Sequence, residues 1–189
     1  MDAGWAAVLG ATVGALGTGG ASVAAALLAR TQAQMQVRAE HRRALREPRK
    51  SAYVAYAEQW WGRYDLVGRG WIELALASEN RESPEYTDLI GAASVLRTES
   101  MDASTPLEHA QALVYVEGPK KVTDAALYAS GALTDLTVYL HRSLVAVQNG
   151  EALGDRESHF QGLSGEAHQK YLNFLYAASD VLGEDVIQP

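Results

Sequence analysis

The stretch PKKVTDAALYASGALTDLTVYLHRSLVAVQ, Pro119 to Gln148, decides the fold. Its apolar side chains Val122, Ala126, Ala129, Leu133, Leu136, Leu140, Leu144 and Val147 recur at spacings of three and four. That spacing marks one face of a helix, whereas a half-buried strand would alternate at two. Asn149-Gly150 supplies the stop. A helix of about thirty residues with one apolar face needs other helices to cover that face, and the flanking sequence offers them.

On the C-terminal side, a turn rich in Gly and charge is expected to run to about Ser164. A last helix follows, with Ala167, Tyr171, Phe174, Leu175, Ala178, Val181 and Leu182 on its face and Gly183 at its close. On the N-terminal side, Thr105-Pro106-Leu107-Glu108 reads as a capping box with Pro at the first helical position. The short helix it opens carries Leu107, Ala110, Leu113 and Val114 and stops near Gly118-Pro119. Ser83-Pro84 is expected to start another helix, with Tyr86, Leu89, Ile90, Ala93 and Leu96 inward. Between Pro48 and Ser78 the face is Tyr53, Ala57, Trp60, Tyr64, Val67, Trp71 and Leu74, with a kink expected near Gly68 and Gly70. No segment after residue 30 alternates with period two. The expected fold is therefore all-α: an antiparallel helical bundle over 51–183, preceded by a transmembrane helix and followed by a tail at 184–189. The two longest bundle helices would reach roughly 45 Å each and form its spine.

The anchor is expected in residues 1–29. Trp5 to Ala29 holds no Asp, Glu, Lys, Arg, His, Asn, Gln or Pro. As a helix it would be roughly 37 Å long, enough to cross a hydrocarbon core of about 30 Å. A cleaved signal peptide would want positive charge before the span, and only Asp2 is charged there. The glycines run GxxxGxxG and no strand–helix alternation follows, which argues against a dinucleotide-binding turn. A buried helix of a soluble protein is the remaining alternative. Gly10, Gly14 and Gly17 line up on a small-residue face. One reading is composition, since glycine is common in membrane helices; the other is self-association into a homo-oligomer through that face.

Residues 30–50 form a basic juxtamembrane helix. Arg30, Arg38, Arg42, Arg43, Arg46, Arg49 and Lys50 stand against Glu40 and Glu47, a net +5. Pro48 is expected to interrupt this helix or to start the next. The positive-inside rule places the N-terminus outside and the rest in the cytoplasm, at the cell membrane. The basic residues read first as a topology signal. Their second reading is contact with anionic lipid headgroups of the bilayer. Nucleic acid is not an expected partner, because residues 51–189 hold 20 acidic and 9 basic side chains, a net −11.

The chain has no Cys, which excludes disulfides and thiolate chemistry. His41, His109, His141, His159 and His168 form no metal-ligand spacing, so no metal or cofactor is expected. Gly162-Leu163-Ser164-Gly165-Glu166 lacks the second glycine of a nucleophile elbow in register. No catalytic residue is assigned, and no enzyme activity is expected. The aromatic stripe reads as core. As a ligand site it would need a cavity among Tyr53, Trp60, Tyr64 and Trp71 with Glu58 or Asp65 facing in.

Three stretches carry a resemblance: Arg49-Lys50-Ser51-Ala52-Tyr53-Val54-Ala55-Tyr56, Val116-Glu117-Gly118-Pro119-Lys120-Lys121-Val122, and Phe174-Leu175-Tyr176-Ala177-Ala178 with Leu182-Gly183. With the small-residue span and the Arg- and Gln-rich flank, the chain resembles a recurring group of small actinobacterial single-pass membrane proteins. Residues 98–105 are looser than that pattern. The group has no established activity, so the resemblance implies fold and topology and assigns no functional residue. The expected role is a membrane-anchored scaffold or interaction module with an unknown protein partner. The alternative of another class is a small-molecule-binding or enzymatic bundle using the aromatic stripe.

Overall fold

The computed structural model describes residues 3–184, with side chains for 29–183 other than 38, 39, 41–43 and 45. It contains five helices: α1 (Ala3–Glu79), α2 (Tyr86–Asp102), α3 (Ser104–Glu117), α4 (Lys120–Gln148) and α5 (Arg156–Glu184). No strand occurs among the described residues, so the all-helical class holds. The chain divides into two units, Met1–Ala44 and Leu45–Pro189. In the first, residues 29–37 are exposed throughout, as a polar helix without an apolar face must be. The side chains of the uncharged stretch Trp5–Ala29, Gly10, Gly14 and Gly17 included, lie outside the described ones apart from Ala29. Among the described residues no helix is long and apolar enough to cross a membrane.

The second unit is a bundle with four legs. The leg from Leu45 to Glu79 runs one way, α2 and α3 together return, α4 runs parallel to the first leg, and α5 returns again. Tyr56 and Trp60 bond the carbonyls of Ala126 and Ala129, in the same order along both helices. Tyr53, Trp60, Trp61 and Trp71 meet Phe174, Tyr171, His168 and Phe160, in reversed order. Consecutive legs alternate in direction, as short connections between helices dictate.

All eight apolar positions read from the sequence of α4 are buried. They face Tyr56, Trp60, Val67 and Leu74 from α1, Leu107 and Val114 from α3, and Ala167 and Phe174 from α5, within one core.

Four local expectations are corrected. Pro48 neither interrupts nor starts a helix but lies inside α1, where its ring costs about 3 kcal/mol and one backbone bond. It stands exposed, so no packing opposes it, and the aromatic stripe that begins with Tyr53 secures the helix beyond it. The capping box at Thr105 does not form. α3 begins at Ser104 after the single residue Ala103, with no side-chain cap, because the chain stays helical on both sides of the break. Leu113 is exposed rather than inward, since Leu107, Ala110 and Val114 already fill the inner face of α3. The turn after α4 ends at Asp155, about nine residues early, because Phe160 stacks on Trp71 with ring centroids 4.0 Å apart and draws the helix start back.

Ser83 comes closer to its expected role. Its hydroxyl accepts from the Glu85 N–H at 3.3 Å, and α2 starts at Tyr86. Gly68 and Gly70 remain inside α1. At Gly70 the reason for glycine is close approach: a Cβ there would stand 3.1 Å from Leu140 Cδ2. At Gly118, the link between α3 and α4, a Cβ would lie 2.7 Å from the Val114 carbonyl oxygen, so no larger residue fits that turn unchanged.

Candidate functional site

The aromatic stripe of α1 is a filled core. Trp60 is fully buried and stacks on Tyr171 at 4.2 Å and on Tyr64 at 5.1 Å. Its indole N–H donates to the Ala129 carbonyl at 3.0 Å, which satisfies the one polar atom of the ring. Tyr56, which the sequence period passed over in favour of Ala57, is also fully buried and packs against Phe174 at 4.5 Å. The carboxylates that a ligand site would need point elsewhere. Glu58 is exposed, and Asp65 is exposed and paired with Arg69 at 3.0 Å.

Tyr56 donates to the Ala126 carbonyl at 2.7 Å and shares a hydrogen bond with Ser130 Oγ at 2.9 Å. Burial raises its phenol well above the ordinary tyrosine value, and the Ser130 bond opposes that only in part. The folded state therefore holds this proton more tightly than the unfolded chain does. The contribution is complete below about pH 10 and is lost as pH rises above the unfolded value toward the folded one. Tyr56→Phe is expected to cost about 1 kcal/mol at pH 7. It should also reduce the loss of stability between pH 9 and 11, measured as the difference in melting temperature between the two chains. An identical alkaline slope in both would mean that this phenol does not titrate in the linked range.

Three arginines hold the connections. Arg49 Nε donates to the Glu117 carbonyl at 2.9 Å, at the end of α3, and Arg63 Nε donates to the Ser100 carbonyl at 2.9 Å, in the last turn of α2. Arg81 reaches the Gly150 carbonyl just beyond α4. Each places positive charge where a helix ends and its carbonyls lack intrahelical partners. Of the expected lipid-contacting residues, Arg30, Arg46 and Lys50 are exposed and Arg49 is half-buried in its bond to α3. The side chains of Arg38, Arg42 and Arg43 lie outside the described residues.

No group of three or more His, Cys, Asp or Glu side chains is placed to hold a metal among the described residues. His109, His141 and His159 are exposed, and His168 is half-buried beside Trp61 and Tyr64. Ser164 lies inside α5, and its hydroxyl bonds the Tyr64 hydroxyl at 2.7 Å, so it has helical rather than elbow geometry.

One open feature of the surface is an apolar groove. Between α1 and α3 an open groove of about 560 Å³ is lined by Ala55, Gln59, Pro106, His109, Leu113 and Val116. Val116 is 78% exposed and Leu113 is 51% exposed. The sequence held a signal for this surface. Leu113 and Val116 are three apart, on a flank of α3 next to Ala110, which also lines the groove, a second apolar strip that one-sided burial leaves over. No family model matches the chain, and comparisons with curated proteins and with solved structures return no match.

Proposed function

We propose that the chain is a membrane-anchored helical scaffold or protein-interaction module without enzymatic activity. The observation that carries this reading is the unpartnered apolar groove between α1 and α3, with Leu113 and Val116 standing open at its edge. Large apolar side chains gathered around a groove and rimmed by polar residues suit a protein partner. Glu108 and Glu117 on α3 favour a partner surface of apolar and basic character. Anchoring rests on the uncharged stretch Trp5–Ala29 and the net +5 that follows it. In this reading the N-terminus is outside and the bundle is cytoplasmic. Gly10, Gly14 and Gly17 provide a face for self-association, and the exposed Arg30, Arg46 and Lys50 lie against anionic headgroups. The likeness to small actinobacterial single-pass proteins belongs to the same proposal.

The test places a photo-cross-linking residue at Val116 of the full chain, with a control at exposed Arg142 on α4. The chain should stay in the membrane pellet after carbonate washing. Val116 should give a discrete adduct that Arg142 does not, and adding Leu113→Asp should abolish it. An adduct of twice the chain's mass would identify the partner as a second copy. Extraction by carbonate would remove the anchor, and equal labelling at the two positions would remove the docking groove.

A further inference from the structure

A second groove, between α1 and α5, adds to an apolar lining a chemistry that the first lacks, two cations. It encloses about 530 Å³, within the range of small-molecule sites. Val54, Phe174, Leu175, Ala178 and Leu182 make an apolar floor, and Arg46 and Lys50 stand over it from α1. Both cations are exposed, and neither has an ion-pair partner among the described residues. The carboxylate of Asp180, on the adjoining turn of α5, reaches Lys121 of α4 at 4.0 Å instead.

Arg46 and Lys50 belong to the basic segment 30–50, net +5, and here that segment's charge meets an apolar floor that α5 helps to build. A purely apolar occupant would leave Arg46 and Lys50 unused, and a small hydrophilic anion would leave the floor unused. A cationic amphiphile would be repelled at the head. We infer that the groove binds an anionic amphiphile, its carboxylate or phosphate held by Arg46 and Lys50 and its acyl chain laid along the floor. This goes beyond a headgroup lying against the basic segment, because the acyl chain itself is seated in protein. It stands on residues 46–183 alone and holds whether or not Trp5–Ala29 crosses a bilayer.

The experiment uses the full chain, in zwitterionic nanodiscs where it inserts and free in buffer where it does not. It is exposed in turn to a diazirine-tagged long-chain fatty acid, a diazirine-tagged phosphatidylglycerol and a long-chain trimethylammonium probe bearing the same tag. Labelled peptides should contain Val54 and Leu175. The double variant Arg46→Gln/Lys50→Gln should reduce labelling about thirtyfold, since each cation near an anionic surface contributes about 1.7 RT. Val54→Trp, a change at an exposed position that fills the groove, should reduce it comparably while the helical circular dichroism stays unchanged. Lengthening an untagged competitor acid by two carbons should strengthen competition about four- to fifteen-fold. Labelling by the fatty acid alone identifies a free monoacyl ligand, labelling by phosphatidylglycerol identifies a membrane lipid, and either supports the site. The inference is overturned by no label in the groove, by equal labelling with the cationic probe, or by labelling that Val54→Trp leaves unchanged.

Discussion

Replacing Trp60 by Ala is expected to lower the melting temperature of the bundle by roughly 10–20 °C, the equivalent of about 3–5 kcal/mol. The Trp60 side chain ties α1 to both α4 and α5. The indole is fully buried, lies flat against Tyr171 of α5 at 4.2 Å, stacks on Tyr64 one turn along α1, and donates to the Ala129 carbonyl of α4. Its removal opens a void between three helices, and the neighbouring rings are too rigid to collapse into it. Trp60→Phe separates the contributions. It keeps a ring against Tyr171 and loses the N–H, and the Ala129 carbonyl keeps its place in the α4 ladder. That variant should cost about 1–2 kcal/mol. The measurement is thermal unfolding of the full chain followed at 222 nm. A shift of less than about 2 °C for Trp60→Ala would place the indole outside the core and remove the packing described for α1.

The contrast between α4 and α1 shows what was legible in the sequence. In α4 the apolar residues are simple aliphatics and alanines at regular spacing, so the period alone identified the buried face. In α1 the same method chose Ala57 over Tyr56, although Tyr56 is fully buried. A tyrosine carries a polar atom whose fate depends on a partner some seventy residues away, at Ala126 and Ser130, and periodicity holds no such information. Leu113 failed for the opposite reason. Its spacing fits the inner face of a short helix, but α3 is already filled by Leu107, Ala110 and Val114. The start of α5 was placed late because Gly162 and Gly165 lower helix propensity, while the stacking of Phe160 on Trp71 outweighs that cost. The two grooves and the arginine bonds at helix ends arise between elements. Residue types hinted at them, as Val116 beside Leu113 or Arg46 beside Lys50 do, but only packing decides which faces stay open.

Arg63, like Arg81, carries no expectation from periodicity, and changing its charge should have an effect as large as removing Trp60. It occupies a core position of α1, between Trp60 and Val67, and is only 7% exposed. Burial lowers the guanidinium's proton affinity, and the carboxylate of Glu108 acts in the other direction, so the cation persists. Its Nε bond to the Ser100 carbonyl meets the last turn of α2, where the helix ends and α3 begins after one residue. Arg63→Met keeps most of the volume and removes both the donor and a costly buried charge. The unsatisfied carbonyl and the relieved desolvation partly offset, so the expected loss is about 1–3 kcal/mol. Arg63→Glu directs a carboxylate at the Ser100 oxygen and toward Glu108, a buried charge without a partner, and should cost about 3–5 kcal/mol at pH 7.5. The two variants also differ in their pH dependence. Burial would raise the introduced carboxyl above its unfolded value of about 4.3, so the folded chain binds its proton more readily. The penalty is then full above the raised folded value and fades as pH falls toward 4.3. Melting curves at pH 7.5 and 4.5 should therefore show the gap between Arg63→Glu and Arg63→Met narrowing, with hydrogen exchange quickening first across residues 98–108. A chain carrying Arg63→Glu that melts with the parent at pH 7.5 would mean that position 63 faces solvent, and that the junction of α2 and α3 is held by something other than this arginine.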